Sequence, residues 1–245
     1  MSAPENSEPG GFARIDAHQH FTPEFSPSLL YPILKRNRFD GTVAVVPAPS
    51  VEETRWLLGQ AAEHEFVRGV VGWADLRDRE VGRLLDEYQL HEKFRGLVWW
   101  FDGALPEGLR EVARRGLTLD VAAGFNGNIV ERFPEVRVVI DGVGAGQGSA
   151  PLEFAGHRNL HVKISGLITA APGQWKASEF QPAVRAALAA FGADRVMYGS
   201  DWPSYLPTGT WKEALAAFTQ AIGAQTMETR EQLLGATARR FYALE

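Results

Sequence analysis

Arg14-Ile15-Asp16-Ala17-His18-Gln19-His20-Phe21-Thr22-Pro23 is a short apolar run that ends on two histidines and leaves through a proline turn. Runs of this kind read as strands. Working outward from Arg14–Ala17, seven more follow: Thr42–Val46, Gly69–Trp73, Gly96–Phe101, Leu117–Val121, Val136–Asp141, His161–Ser165 and Arg195–Tyr198. Their starts lie roughly 20 to 35 residues apart, the length of one βα unit. Near-continuous apolar strands separated by helices predict a parallel sheet covered on its outer face. Eight units with nothing left over predict an α/β chain folded as one (β/α)8 TIM-type barrel, somewhat distorted.

The segments between the strands carry helix signals. Ser50 followed by Glu53 predicts a capping box ahead of Trp56-Leu57-Leu58. Val81, Leu84, Leu85 and Tyr88 recur on one helical stripe, as do Val184, Ala187, Leu188 and Phe191, with Gly192 placed to end the second helix. Phe125–Phe133 is short for a barrel helix, and Gly142–Ala150 is glycine-rich and reads as a loop. Residues 1–11 are polar and rich in Pro, Gly and Ser, which predicts a disordered tail, with the barrel over 12–245.

Composition narrows the chemistry. The 245 residues are 45% hydrophobic and 22% charged, ordinary values for a chain with a real core. There is no cysteine, so disulfides, thiolate metal sites and a cysteine nucleophile are excluded. That suits a reducing compartment, and the cytoplasm is the expected location. The net charge is −5 and no basic run tracks a phosphate backbone, which argues against nucleic acid as a partner. No apolar run approaches the roughly 18 residues that span a bilayer, so no membrane association is expected.

In a strand, side chains with period two share a face. Asp16, His18 and His20 are therefore expected on one face at the end of the first strand, where a barrel builds its site. Two imidazoles so placed can bind one divalent cation, zinc or manganese. Arg195–Asp201 is an apolar strand ending on a carboxylate, and closure of the barrel brings it beside the first strand. Asp201 is then a third metal ligand and the base that takes a proton from water. Lys163 shares a face with His161 and Ser165. It suits a substrate carboxylate, a polarised carbonyl, a pair with Asp201, or equally a salt bridge inside the barrel. His161 lies near the start of its strand and reads as structural. Asp141 ends the sixth strand and is a second-rank candidate for substrate contact. Trp73, Trp99, Trp100 and Trp202 fall at or near strand ends, where Trp73, Trp100 and Trp202 suit a pocket for a ring-shaped small molecule. Exposed apolar patches would equally suit a homodimer interface.

Four segments carry a resemblance. Asp16-Ala17-His18-Gln19-His20-Phe21, Gly69-Val70-Val71-Gly72-Trp73, Val162-Lys163-Ile164-Ser165-Gly166-Leu167 and Gly199-Ser200-Asp201-Trp202-Pro203 resemble the amidohydrolase-2 family. Within it the chain is similar to sugar-lactone hydrolases of the L-fuconolactonase and L-rhamnonolactonase kind, and more distantly to 2-pyrone-4,6-dicarboxylate lactonase. The ending Ala236-Thr237-Ala238-Arg239-Arg240-Phe241-Tyr242 resembles the family's last helix. The resemblance implies hydrolysis of a cyclic ester. His18 and His20 would sit at the metal or carbonyl-activating position, Asp201 would activate water, and Lys163 would lie near the substrate.

Two departures stand out. Gly142 occupies the place after the sixth-strand aspartate where members usually carry histidine, and Gly96-Leu97-Val98-Trp99-Trp100 lacks the Arg-His pair usual after the fourth strand's glycine. The expectation is thus a lactonase that uses a divalent metal or, with one ligand replaced, works without one. A decarboxylase or amide hydrolase on the same barrel and a catalytically degenerate ligand-binding barrel are the alternatives.

Overall fold

The structure, a computed structural model, describes residues 11–145, 150–169 and 175–245. Eight parallel strands follow one another round a single sheet in sequence order. They are β1 (Ile15–Gln19), β2 (Gly41–Val45), β3 (Val67–Gly72), β4 (Phe94–Trp100), β5 (Thr118–Ala123), β6 (Arg137–Ile140), β7 (Leu160–Ile164) and β8 (Val196–Tyr198). The helices outside are α1 (Pro27–Arg36), α2 (Val51–Glu63), α3 (Val81–Tyr88), α4 (Leu109–Arg114), α5 (Asn128–Arg132), α6 (Ala177–Phe191) and α7 (Trp211–Ile222). Two short helices, α8 (Met227–Glu231) and α9 (Thr237–Tyr242), flank a π-helical turn. This is the expected (β/α)8 barrel. Its distortion lies in the sixth unit, whose described residues hold only the 3₁₀ turn Leu152–Phe154. Residues 1–10 of the expected tail and residues 146–149 of the expected loop lie outside the described residues.

Strand residues turned outward meet the helices. The α6 stripe places Val184, Ala187 and Phe191 in the core, and Gly192 ends it at φ 76°, a left-handed conformation that favours glycine. Burying each large apolar side chain contributes about 1.5–3 kcal/mol. In α3 Val81, Leu85 and Tyr88 are buried, as the stripe predicts. Ser50 Oγ accepts from the Glu53 amide at 3.0 Å, so the capping serine is in place at the start of α2.

Closure depends on β1 and β8. Past the end of β8, Asp201 N donates to His18 O at 2.8 Å and His20 N donates to Trp202 O at 2.7 Å. A Cβ at Gly199 would lie 2.4 Å from His18 Cβ, so this approach is open only to glycine. Both strands thus deliver their last residues to the same end of the barrel.

The alternation expected for β1 needs one correction. The pairing of β1 with β2 shifts register between Asp16 and Gln19. The histidine rings still meet, at 4.9 Å between centroids. Asp16 does not join them. Its carboxylate accepts from Ser200 N at 2.8 Å and from Trp211 Nε1 of α7 at 3.4 Å. It is a buried tie between β1, the end of β8 and the first residue of α7. Burial, only partly offset by these bonds, pushes its pKa up to about 6.

Candidate metal and active site

The strand ends gather His18, His20 and Asp201, whose ligand atoms all lie within 4.8 Å of one another. His20 Nε2 is 3.4 Å from Asp201 Oδ1, and His18 Nε2 is 4.0 Å from the same oxygen. These separations are long for hydrogen bonds. Two donors on one tetrahedral zinc, each about 2.0 Å from it, stand roughly 3.3 Å apart. The spacing therefore suits three ligands round a cation better than it suits ion pairs.

The surrounding bonds point the same lone pairs inward. His20 Nδ1 faces Val45 O at 2.7 Å, which makes it the protonated nitrogen and leaves Nε2 free. Thr169 Oγ1 donates to Asp201 Oδ2 at 2.7 Å, which leaves Oδ1 toward the histidines. Asp201 itself sits at φ 65°, a conformation few non-glycine residues adopt. That strain costs about 1–2 kcal/mol and is a common mark of a functional position. Burial acts to raise the Asp201 carboxyl, but His20, His18 and Thr169 together hold it below the ordinary aspartate range. Burial, with Lys163 and His20 nearby, pushes His18 well below the ordinary imidazole range, so it stays neutral. Neutral imidazoles and an ionised carboxylate are the ligand forms a divalent cation requires.

Lys163 lies deeper, fully buried. Its Nζ is 2.5 Å from Asp120 Oδ2, 3.0 Å from Asp141 Oδ1 and 3.3 Å from His18 Nδ1. Of the roles open to it from sequence, the geometry is that of the salt bridge inside the barrel, and Asp201 is not among these neighbours. Burial opposes its charge, but Asp120 and Asp141 outweigh this and hold its pKa above the ordinary lysine value. Asp141, expected to end the sixth strand, is the residue just past β6, and it also lies 3.5 Å from His18 Nδ1 through Oδ2.

The aromatic candidates divide. Trp73 and Trp100 follow or end β3 and β4 and are half-buried. Trp99 is buried and stacks on Trp73 at 6.5 Å. Trp202 is 2% exposed, its ring held between Phe21 and Phe25. Gly142, where the family resemblance expects histidine, has φ 71° and nothing within 4 Å of a Cβ built there. The mouth is therefore open at that point. Asp120, Thr169 and Tyr242 are neighbours that the motifs do not single out. Asp120 carried a signal, as the one charge in Leu117–Ala123. Thr169 and Tyr242 carried none.

Known proteins bear on this arrangement. An L-fucono-1,5-lactonase of Burkholderia ambifaria is 32% identical over 232 residues, 78% of this chain and 80% of that one. A second L-fucono-1,5-lactonase, from Burkholderia multivorans, is 26% identical over 295 residues, 96% of this chain and 97% of that one. Among solved structures, an amidohydrolase from Burkholderia multivorans with bound zinc has a TM-score of 0.82 at 26% identity. That alignment covers 95% of this chain and 100% of the other. The Amidohydro_2 model, described as amidohydrolase, matches residues 34–244. Because that match runs from within α1 past the end of α9, across β2 to β8, this chain belongs to the amidohydrolase family of hydrolases.

Proposed function

We propose that the chain opens a lactone by attack of an activated water. The observation that carries the reading is the convergence of His18 Nε2, His20 Nε2 and Asp201 Oδ1 at the barrel mouth. The L-fucono-1,5-lactonase relatives supply the bond type, and the zinc-bearing amidohydrolase supplies the metal class. His18, His20 and Asp201 would hold a divalent ion, zinc or manganese. Such an ion polarises a carbonyl and acidifies a bound water. Three protein ligands and an open side are the pattern of catalytic rather than structural zinc sites.

The chain's own groups do the rest. Asp201 Oδ1 accepts the proton of the attacking water, with Oδ2 fixed by Thr169. The proton passes to the alkoxide oxygen as the ring ester bond breaks. Asp141 lies beside His18 and borders the open space at Gly142, where it orients the substrate's hydroxyls. Lys163 serves the substrate indirectly, through Asp141 and His18. Trp73 and Trp100 offer ring faces at the mouth, and Trp202 backs the wall from behind. The cysteine-free sequence suits the cytoplasm, and exposed Phe25, Leu29 and Tyr31 suit a homodimer contact. No helix among the described residues is long and apolar enough to cross a membrane.

A pH-indicator screen of sugar lactones, aliphatic lactones and pyrones, with and without zinc or manganese, tests the reading. Acid release is expected to rise with metal and to fall at least about a hundredfold in Asp201→Asn, which keeps its fold. An unchanged rate in that variant removes Asp201 as the base. Release insensitive to chelator keeps the lactonase and removes the ion. Release of carbon dioxide would instead mark a decarboxylase.

A further inference from the structure

The outer face of the barrel carries a groove that the chemistry at the mouth does not use. It lies between α4 and α5, has a volume of about 560 Å³, and is lined by Arg110, Ala113, Arg114, Arg132, Phe133 and Glu135. Barrel helices return the chain from the mouth to the starts of the strands. Arg114 is the last residue of α4 and Arg132 the last of α5, so the groove sits toward the end away from His18, His20 and Asp201.

Three guanidiniums and one carboxylate line this groove, in a chain whose net charge is −5. Arg110 and Arg114 stand four apart on α4, which puts them on one face, where like charges repel. Elsewhere on the surface arginines meet carboxylates, as Arg55 does Glu87, Arg83 does Glu80 and Arg158 does Asp194. Inside the groove such partners are few. Arg114 reaches Glu111 Oε2 at 2.9 Å, but the same oxygen also takes Arg115. Arg110 and Arg132 form no ion pair with any described residue, Glu135 included. Arg132 instead lies 5.9 Å from the centroid of the Phe133 ring. Phe133 is buried and Ala113 half-buried, while Arg110, Arg114, Arg132 and Glu135 are exposed. The floor is thus apolar and the rim is charged.

These features select a ligand. Guanidinium forks grip phosphate oxygens two at a time. The volume lies in the range of sites for organic molecules, well above what a bare phosphate fills. An apolar floor suits a carbon skeleton, and a carboxylate, which only accepts, suits hydroxyl donors.

We propose that the groove between α4 and α5 is a binding site for a sugar phosphate. Arg110, Arg114 and Arg132 hold the phosphate, the carbon skeleton lies over Ala113 and Phe133, and Glu135 accepts from the hydroxyls. This site goes beyond the lactonase reading and stands whatever reaction the mouth carries out.

The test is calorimetric titration of the full chain in about 0.15 M salt, where long-range attraction between charges is largely screened. The probes are glucose 6-phosphate, inorganic phosphate, glucose and citrate. Glucose 6-phosphate is expected to bind with a Kd of about 1 mM or tighter, inorganic phosphate at least about tenfold more weakly, and glucose not at all. Arg110→Gln and Arg132→Gln each remove an exposed charge that has no carboxylate partner, so Tm should hold. Each is expected to weaken glucose 6-phosphate about tenfold, the size of one charge-assisted hydrogen bond. Arg185→Gln, on α6 outside the groove, changes the net charge equally and should leave the Kd as it was. No binding of glucose 6-phosphate up to about 10 mM overturns the proposal. So does an unaltered Kd in the Arg110 and Arg132 variants, or an equal loss in Arg185→Gln, which marks general attraction to a charged surface. Inorganic phosphate as tight as the ester refutes the sugar, and citrate tighter than both refutes the phosphate. All of these are read as binding, so a protein that opens no lactone is tested equally well.

Discussion

The barrel interior has two storeys, and they are built differently. In the lower one, Tyr242, Asp120 and Lys163 are fully buried and meet at 2.5 and 2.7 Å. In the upper one, His18, His20 and Asp201 keep 9 to 15% of their side-chain surface open and stand 3.4 to 4.0 Å apart. Both consist of ionisable groups in a low-dielectric setting. Below, each charge is answered at hydrogen-bond distance, so the layer is fixed. Above, lone pairs converge without touching, so the layer has room for a cation and a carbonyl. The Lys163 ammonium touches both storeys, Asp120 in the lower and His18 in the upper.

The contrast breaks most visibly at that ammonium. Lys163→Met leaves the Asp120 and Asp141 carboxylates buried without their cation, and removing one partner of a buried pair costs about 3–5 kcal/mol. Denaturant unfolding should show a loss of that size. A loss below about 1 kcal/mol would mean the lower storey is not held by charge. A smaller effect is expected at His161, which enters the barrel at the start of β7 with its ring 4.7 Å from Phe241. Burial holds its pKa at about 4, below the ordinary 6.5, so the folded state keeps it neutral. As pH falls, the unfolded chain binds this proton first. Stability is therefore full above about pH 6.5 and declines by about 2–3 kcal/mol as pH drops toward 4. His161→Gln should flatten that acid limb while leaving turnover unchanged, and equally steep limbs in both proteins would place the acid loss elsewhere. Smallest is Thr169→Val in the upper storey. It removes one hydrogen bond to Asp201, worth about 1 kcal/mol, and should slow turnover roughly fivefold with little change in Tm. A drop in Tm without a drop in rate would show that Thr169 serves the fold instead.

The fold was legible because strand and helix periods differ, and each of the eight runs became a strand within a few residues of its expected bounds. The meeting of His18, His20 and Asp201 was legible because closure makes the first and last strands neighbours. Asp16 was placed on the wrong face because period two assumes an even ladder, and the shifted register of β1 is a property of its pairing with β2. Lys163 stood out as a charge in an apolar strand, yet its partner was not readable, since β5 and β7 are joined only through the barrel axis. Asp120 offered the same kind of signal. Tyr242 offered none, because a helix periodicity does not say that a tyrosine will re-enter a barrel from below.

The bond between Tyr242 and Asp120 spans 122 positions of sequence. At about 5–20 residues per second, synthesis makes these two groups on the order of ten seconds apart. Once Lys163 has been made it can pair with Asp120, but Tyr242 is still missing from the lower storey. Final assembly of the lower storey therefore waits for α9, although every residue of the upper one has been made before it.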